Sequence, residues 1–352
     1  MREFRIESTR GTLVESVHRV SAAVVDVEGG LVAASGDPDL VTFWRSAAKP
    51  FQALPAVADG AADRFGLGAE ELALACASHS SEPAHLVVAR RMLERIGCTE
   101  ADLACGPHPP LGPAVAEEVV RRGTPMSPRW SNCSGKHAGM LALARHHGWP
   151  TAGYERAGHP VQDRILAELE RWTGVPAAEV ALAVDGCTAA CFGLPLRAMA
   201  LAYARFATEA GGPAGRLRAA MGTHPHLVAG TGRVDTEIIR ASAGRVLAKV
   251  GAEGVYGACV VPAGLGIALK VEDGDMRSAP VALAAVLRDL AEAGLLPPLD
   301  ELAPVLGRFA RSAIHNTRSE FTGELRAGGG LRFRSPSRTQ PVRTAADAEI
   351  ES

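Results

Sequence analysis

Arg45-Ser46-Ala47-Ala48-Lys49-Pro50-Phe51-Gln52 sets a serine three residues ahead of a lysine where a loop should enter a helix. Residues i and i+3 share a helix face, so the lysine amine can reach the serine hydroxyl. A neutral amine at that distance is a general base, and the serine beside it is a candidate nucleophile for acyl transfer. Pro50 fits if the regular helix begins just after Ser46, because proline in a first turn forfeits only a donor that has no partner there. A lone serine of this kind also reads as a helix N-cap beside a solvated lysine, so the pair needs support from the rest of the chain.

The 352 residues are enough to bury a substantial core. Hydrophobic residues make up 47% and charged residues 22%, the balance of a globular protein. A net charge of −2 gives no global attraction for nucleic acid or an anionic membrane, which leaves a small molecule as the expected partner. Met1 to Arg10 carries charges of both signs without a signal-peptide core, and no window has the apolar length to span a bilayer. Seven cysteines (Cys76, Cys98, Cys105, Cys133, Cys187, Cys191, Cys259) form an odd, irregular set that suits a reducing cytoplasm better than a disulfide framework.

Ser16 to Ala34 alternates β-branched and polar residues around Glu28-Gly29-Gly30, which predicts a hairpin. Helical periodicity follows at 48–58, 69–76, 83–96, 114–122 and 136–147, then from Pro160 through Arg171, and in Ala-rich runs at 194–209, 213–221 and 279–293. Strand-like runs fall at Val180 to Val184, Gly244 to Val250, Val255 to Val261 and Leu265 to Val271. Strands near both ends with helices between them predict an α+β fold whose sheet is completed by both termini. Residues 1–334 read as a single catalytic domain and 335–352 as a flexible tail.

Three further segments bear on chemistry. Cys76-Ala77-Ser78-His79-Ser80-Ser81-Glu82 can present Ser78 to a cleft as a proton relay, while Ser80 or Ser81 suits a cap for the next helix. Trp130-Ser131-Asn132-Cys133-Ser134-Gly135-Lys136-His137-Ala138-Gly139-Met140 crowds a thiol, an amine and an imidazole around a glycine turn. It is not a phosphate-binding loop, because Trp130 stands where the upstream glycine belongs and His137 where a magnesium-holding hydroxyl belongs. Asp185-Gly186-Cys187-Thr188 follows a predicted strand end, a common address for site residues and equally for a turn former with a buried thiol.

Taken together, these blocks resemble the type II L-asparaginases of the Rhizobium etli class, over about Glu15 to Leu325. The resemblance implies an antiparallel sheet flanked by helices, similar to serine β-lactamases and glutaminases, and a homodimer that hydrolyses L-asparagine. It implies Ser46 as nucleophile, Lys49 as its base, Ser78 as the second serine and Lys249 as the second lysine, with Lys270 as the rival for that last role. It also implies a zinc site of Cys133, Lys136 and Cys187; Arg45 is expected at the substrate, and Asp185 and His137, beside the ligands, either bind substrate or support the ligands from behind. Amide hydrolysis needs a nucleophile, a base that returns its proton to the leaving ammonia, and oxyanion donors, for which backbone N–H groups at the helix entrance are candidates. Two thiolates favour Zn²⁺, but with a serine nucleophile present the metal is expected to order the site rather than to hydrolyse.

Two other readings share these residues. A penicillin-binding or β-lactamase-like hydrolase would use the same Ser46–Lys49 spacing, which opens those active sites too. A zinc-dependent amide-binding protein would keep Cys133 and Cys187 as structural ligands and Ser46 as a cap. Acylation by a fluorescent penicillin marks the first, and binding without ammonia release marks the second.

Overall fold

The computed structural model describes residues 3–298 and 300–334, so the expected tail from 335 lies outside the described residues. The chain opens with strands β1 (Arg5–Arg10), β2 (Leu13–Val25), β3 (Leu31–Ser35) and the short β4 (Val41–Phe43). Helices α1 (Lys49–Ala58), α2 (Ala69–Ala75), α3 (Pro83–Ile96), α4 (Ser134–His147) and α5 (Pro160–Thr173) fill the middle. Strands β5 (Ala181–Val184) and β6 (Ala190–Pro195) precede α6 (Leu196–Thr208) and α7 (Val234–Ala241). Then come β7 (Val246–Val250), β8 (Val255–Val260), β9 (Leu265–Val271), α8 (Ser278–Glu292), β10 (Arg311–His315), β11 (Phe321–Gly328) and β12 (Arg332–Phe333).

The main sheet runs β10-β11-β1-β2-β9-β8-β7, with β3 pairing β2 and β12 pairing β3, and its ladders are antiparallel. The hairpin expected around Gly29 is β2–β3, and both chain ends complete the sheet through the β1–β11 ladder. A second antiparallel sheet, β4-β6-β5, stands beside it.

Successive side chains of a strand point to opposite faces, and that alternation builds two cores. Ala22, Val24, Ile267, Leu269, Ala248 and Val250 face α8, while Ala23, Val25, Ala268 and Leu247 face α1, α4, α5 and α6. Lys249, next to Leu247 on β7, therefore points into the helical layer. Helix α6 lies against the sheet so closely that a Cβ on Gly266 would stand 1.9 Å from the Ala200 carbonyl oxygen. Gly266→Ala should force that helix off the sheet and lower stability by about 2–3 kcal/mol, a loss read from the urea midpoint with the slope unchanged.

The differences from the sequence reading have physical causes. β6 falls where no element was expected up to residue 194, because its first five residues are all buried and show no alternation. Helix α7 was not expected either. The strands β10 and β11, also not expected, close the sheet at one edge; β10 is mostly exposed and shows no buried face, whereas β11 carries only a short alternation with Gly323 and Leu325 buried.

Candidate active site

The turn carrying Ser46 is held in place by aromatic packing. Trp44, Phe51, Tyr203, Phe206 and Trp172 form one cluster, with Trp44 and Phe51 rings 4.7 Å apart, and the Tyr203 hydroxyl donates to the Ala47 carbonyl at 2.7 Å. Arg45–Ala48 form a 3-10 turn running straight into α1, with Pro50 in the first helical turn as expected. Arg45 has φ +52°, a left-handed conformation that costs a non-glycine residue strain. Its guanidinium is tied 2.9 Å from Asp185 Oδ1, beyond the end of β5, which fixes that conformation.

Beneath this turn sits a buried chain of three groups. Lys49 and Lys249 are 0% exposed and Ser78 is 3% exposed. Lys49 Nζ lies 3.0 Å from Ser78 Oγ, 2.6 Å from the Ala77 carbonyl oxygen and 3.4 Å from that of Asn132. Lys249 Nζ lies 2.8 Å from the same Ser78 Oγ and donates to Val250 O at 2.9 Å. Burial, abetted by the Lys49 charge and resisted by Asp235, brings the Lys249 amine down to about 7. Of the two candidate lysines, Lys249 is the one whose amine reaches Ser78, while Lys270 spends its amine on the carbonyls of Glu253, Val271 and Glu272.

The i, i+3 expectation for Ser46 and Lys49 meets a difference here, because the lysine's hydrogen bonds go to Ser78 rather than to Ser46. Ser46 instead lines an open cleft of about 380 Å³ together with Arg45, His108, Asn132, Cys133, Asp185, Gly186 and Cys187. One serine thus faces the cleft and the other lies under it. The oxyanion expectation narrows as well. The Ala47 and Lys49 N–H groups at the helix entrance are already committed, to Trp44 O and Ser46 O.

Cys133 is the N-cap residue of α4, and Lys136 and His137 lie in that helix's first turn. A Cβ on Gly135 would be 2.2 Å from the Leu74 carbonyl oxygen, so only glycine lets α4 sit this close to α2 and present these side chains. Cys187 arrives from the turn after β5, and Lys136 Nζ is 2.9 Å from its sulfur. The Cys133 thiol, followed by the Lys136 charge, pulls Cys187 far below the usual thiol range, and the same bond pushes Cys133 up. Burial opposes charge on Lys136, yet Cys187 and Cys133 hold the amine above its ordinary value.

His137, expected either at the substrate or behind the ligands, is 0% exposed and stands behind the sulfurs. Its Nδ1 is 2.6 Å from the Tyr154 hydroxyl, and its Nε2 has no hydrogen-bond partner. It can steer Cys187 but cannot touch a molecule in the cleft. Burial lowers its proton affinity and keeps it neutral.

Three residues escaped the sequence reading. His108 lines the cleft and its Nε2 accepts from the Asn132 N–H at 2.9 Å. The histidine in Gly106-Pro107-His108-Pro109-Pro110, a stiff proline-rich loop, was the signal available for it. Tyr154 and Asp235 carried no motif, since they reach the site only through tertiary packing.

No curated protein matches this chain. Among solved structures it is similar to a β-lactamase from Mycobacterium bovis, at 13% identity and a TM-score of 0.33, covering 82% of this chain and 94% of that one. It is also similar to Mglu in its Tris and glutamate form, at 19% identity and a TM-score of 0.35, covering 82% of this chain and 63% of that one. The model of the L-asparaginase II family matches residues 6–327, nearly the whole chain and every residue of the site just described, so the protein belongs to the L-asparaginase II family.

Proposed function

We propose that the protein hydrolyses L-asparagine to L-aspartate and ammonia through an acyl-enzyme on Ser46. The observation that carries this reading is a cleft-lining serine set over the buried chain of Lys49, Ser78 and Lys249. Ser46 Oγ attacks the side-chain amide carbon, and its proton passes to Lys49. Collapse of the tetrahedral adduct breaks the C–N bond, and the proton goes out with ammonia. Water then attacks the ester, releases aspartate and returns a proton to Ser46. The Ser78 hydroxyl can accept from one amine while donating to the other, so a proton held at Lys49 can be shared with Lys249. The Arg45–Asp185 pair at the cleft wall offers both signs of charge for the amino and carboxylate groups of an amino acid.

Cys133, Lys136 and Cys187 fit a zinc ion by their donor chemistry, two sulfurs and one nitrogen converging beside the cleft. Bound there, zinc would supply a positive centre that orders the site and orients substrate. Cys187→Ser should lower zinc stoichiometry, measured by metal analysis of the purified protein, from near one to near zero. Equal zinc in both proteins removes Cys187 from the ligand set. Because every ligand must be deprotonated, affinity should climb with pH.

The test of the activity is ammonia release from L-asparagine, D-asparagine and L-glutamine, with and without added zinc. The proposal expects L-asparagine to be turned over fastest. A faster rate with L-glutamine would make this a glutaminase-type enzyme, and ammonia release from none of the three would leave the amide-binding alternative. A cytoplasmic homodimer is part of the same proposal, and sedimentation of the purified protein tests the dimer.

A further inference from the structure

Asp235 occupies the first turn of α7, is 0% exposed, and neither of its carboxylate oxygens has a hydrogen-bond partner. A buried carboxyl that closes no hydrogen bond at full strength is costly, and such a group persists in a core only when something nearby balances its charge. Helix α7 packs on β7, the strand that carries Lys249. Lys249 is itself wholly buried and donates to the carbonyl of Val250, whose N–H is turned toward Asp235, as is the Tyr256 hydroxyl opposite on β8.

We propose that Asp235 is the buried charge partner of Lys249, a positioning residue that sets how readily this amine takes up and gives back a proton. The inference rests on the reading of Lys249 as part of the proton path.

The groups that face Lys249 come from every element packed around it. Lys49 on α1 and Arg233 ahead of α7 are basic groups, Cys133 leads into α4, and Cys76 precedes the Ser78 loop. Asp235 is the carboxylate among them, and without it the amine would stand among basic and neutral groups. The couple works in both directions. Burial raises the Asp235 carboxyl while Lys249 and Arg233 hold it down, and burial lowers the Lys249 amine while Asp235 holds it up. Removing the carboxylate therefore leaves Lys249 a weaker base, which surrenders its proton at lower pH and accepts one from Ser78 less readily.

The test uses the full-length protein and the isosteric variant Asp235→Asn. The ascending limb of kcat/KM against pH should move down by about one unit, with the plateau lowered roughly tenfold. A second measurement needs no activity. Thermal melts of wild type, Asp235→Asn, Lys249→Met and the double variant form a cycle. Lys249→Met alone strands a buried carboxyl, so the double variant should melt above Lys249→Met. Melting shifts that simply add would overturn the pairing. Coupled melts with an unmoved limb would keep the pair and instead remove Lys249 from the proton path. If Asp235→Asn does not fold, a folded double variant still demonstrates the pairing, whereas failure of both would assign Asp235 a packing role and overturn the proposal.

Discussion

Ser46→Ala should lower kcat/KM for L-asparagine by roughly 10³-fold or more while the protein keeps its fold, because the hydroxyl fills a cleft wall and not the core. Loss of a nucleophile in serine hydrolases leaves only the catalysis supplied by binding and oxyanion donors. Ser78→Ala distinguishes the two serines. If Ser78 is a relay under the floor, its alanine variant still forms the acyl-enzyme, slowly, and mass spectrometry finds the adduct on Ser46. An adduct carried by Ser78 in the wild type would reverse the assignment. Lys49→Arg should itself lose activity despite keeping a cation, since a guanidinium stays protonated and does not fit an amine's three acceptors.

The second large effect concerns Lys249. Its amine is lowered to about 7 by burial, so the fraction present as free base rises as pH climbs through that value. Turnover should follow, increasing tenfold per pH unit below about 7 and levelling above it. Lys249→Met should cost on the order of 10²- to 10⁴-fold and erase that limb. The same limb persisting in the variant would assign it to another group.

The Ser-x-x-Lys turn, the Cys-x-x-Lys turn and the Asp-Gly-Cys turn were legible because each packs its chemistry into a few consecutive residues. Their convergence was not, since the order of segments around the cleft is a property of how α1, α4 and the β5–β6 connection stack. The rivalry between Lys249 and Lys270 shows the limit clearly. Alternation puts both on the same face of the sheet, next to Leu247 and Ala268, so periodicity could not separate them. What separates them is that β7 ends the sheet beside α7 and the Ser78 loop, while β9 lies inside it between β2 and β8. Asp235 was invisible for a related reason. An acid in a first turn is what any helix N-terminus prefers, and only its burial shows that it faces inward. Adjacency to Lys136 left His137 open between touching substrate and backing the ligands, but a helix turns adjacent residues about 100° apart, and it points into the core.

The β1–β11 ladder has a consequence for how the chain comes to be folded. Thr9 Oγ1 and the Glu324 carbonyl meet across a sequence separation of 315. Contacts that distant in sequence demand loop closure before they return any free energy, and they slow folding. During synthesis β1 leaves the ribosome long before β11 and cannot pair with it until the whole segment between them has emerged. A chain stopped before Phe321 would carry every proposed catalytic residue yet expose β1 as an open edge, a template for aggregation rather than a smaller enzyme.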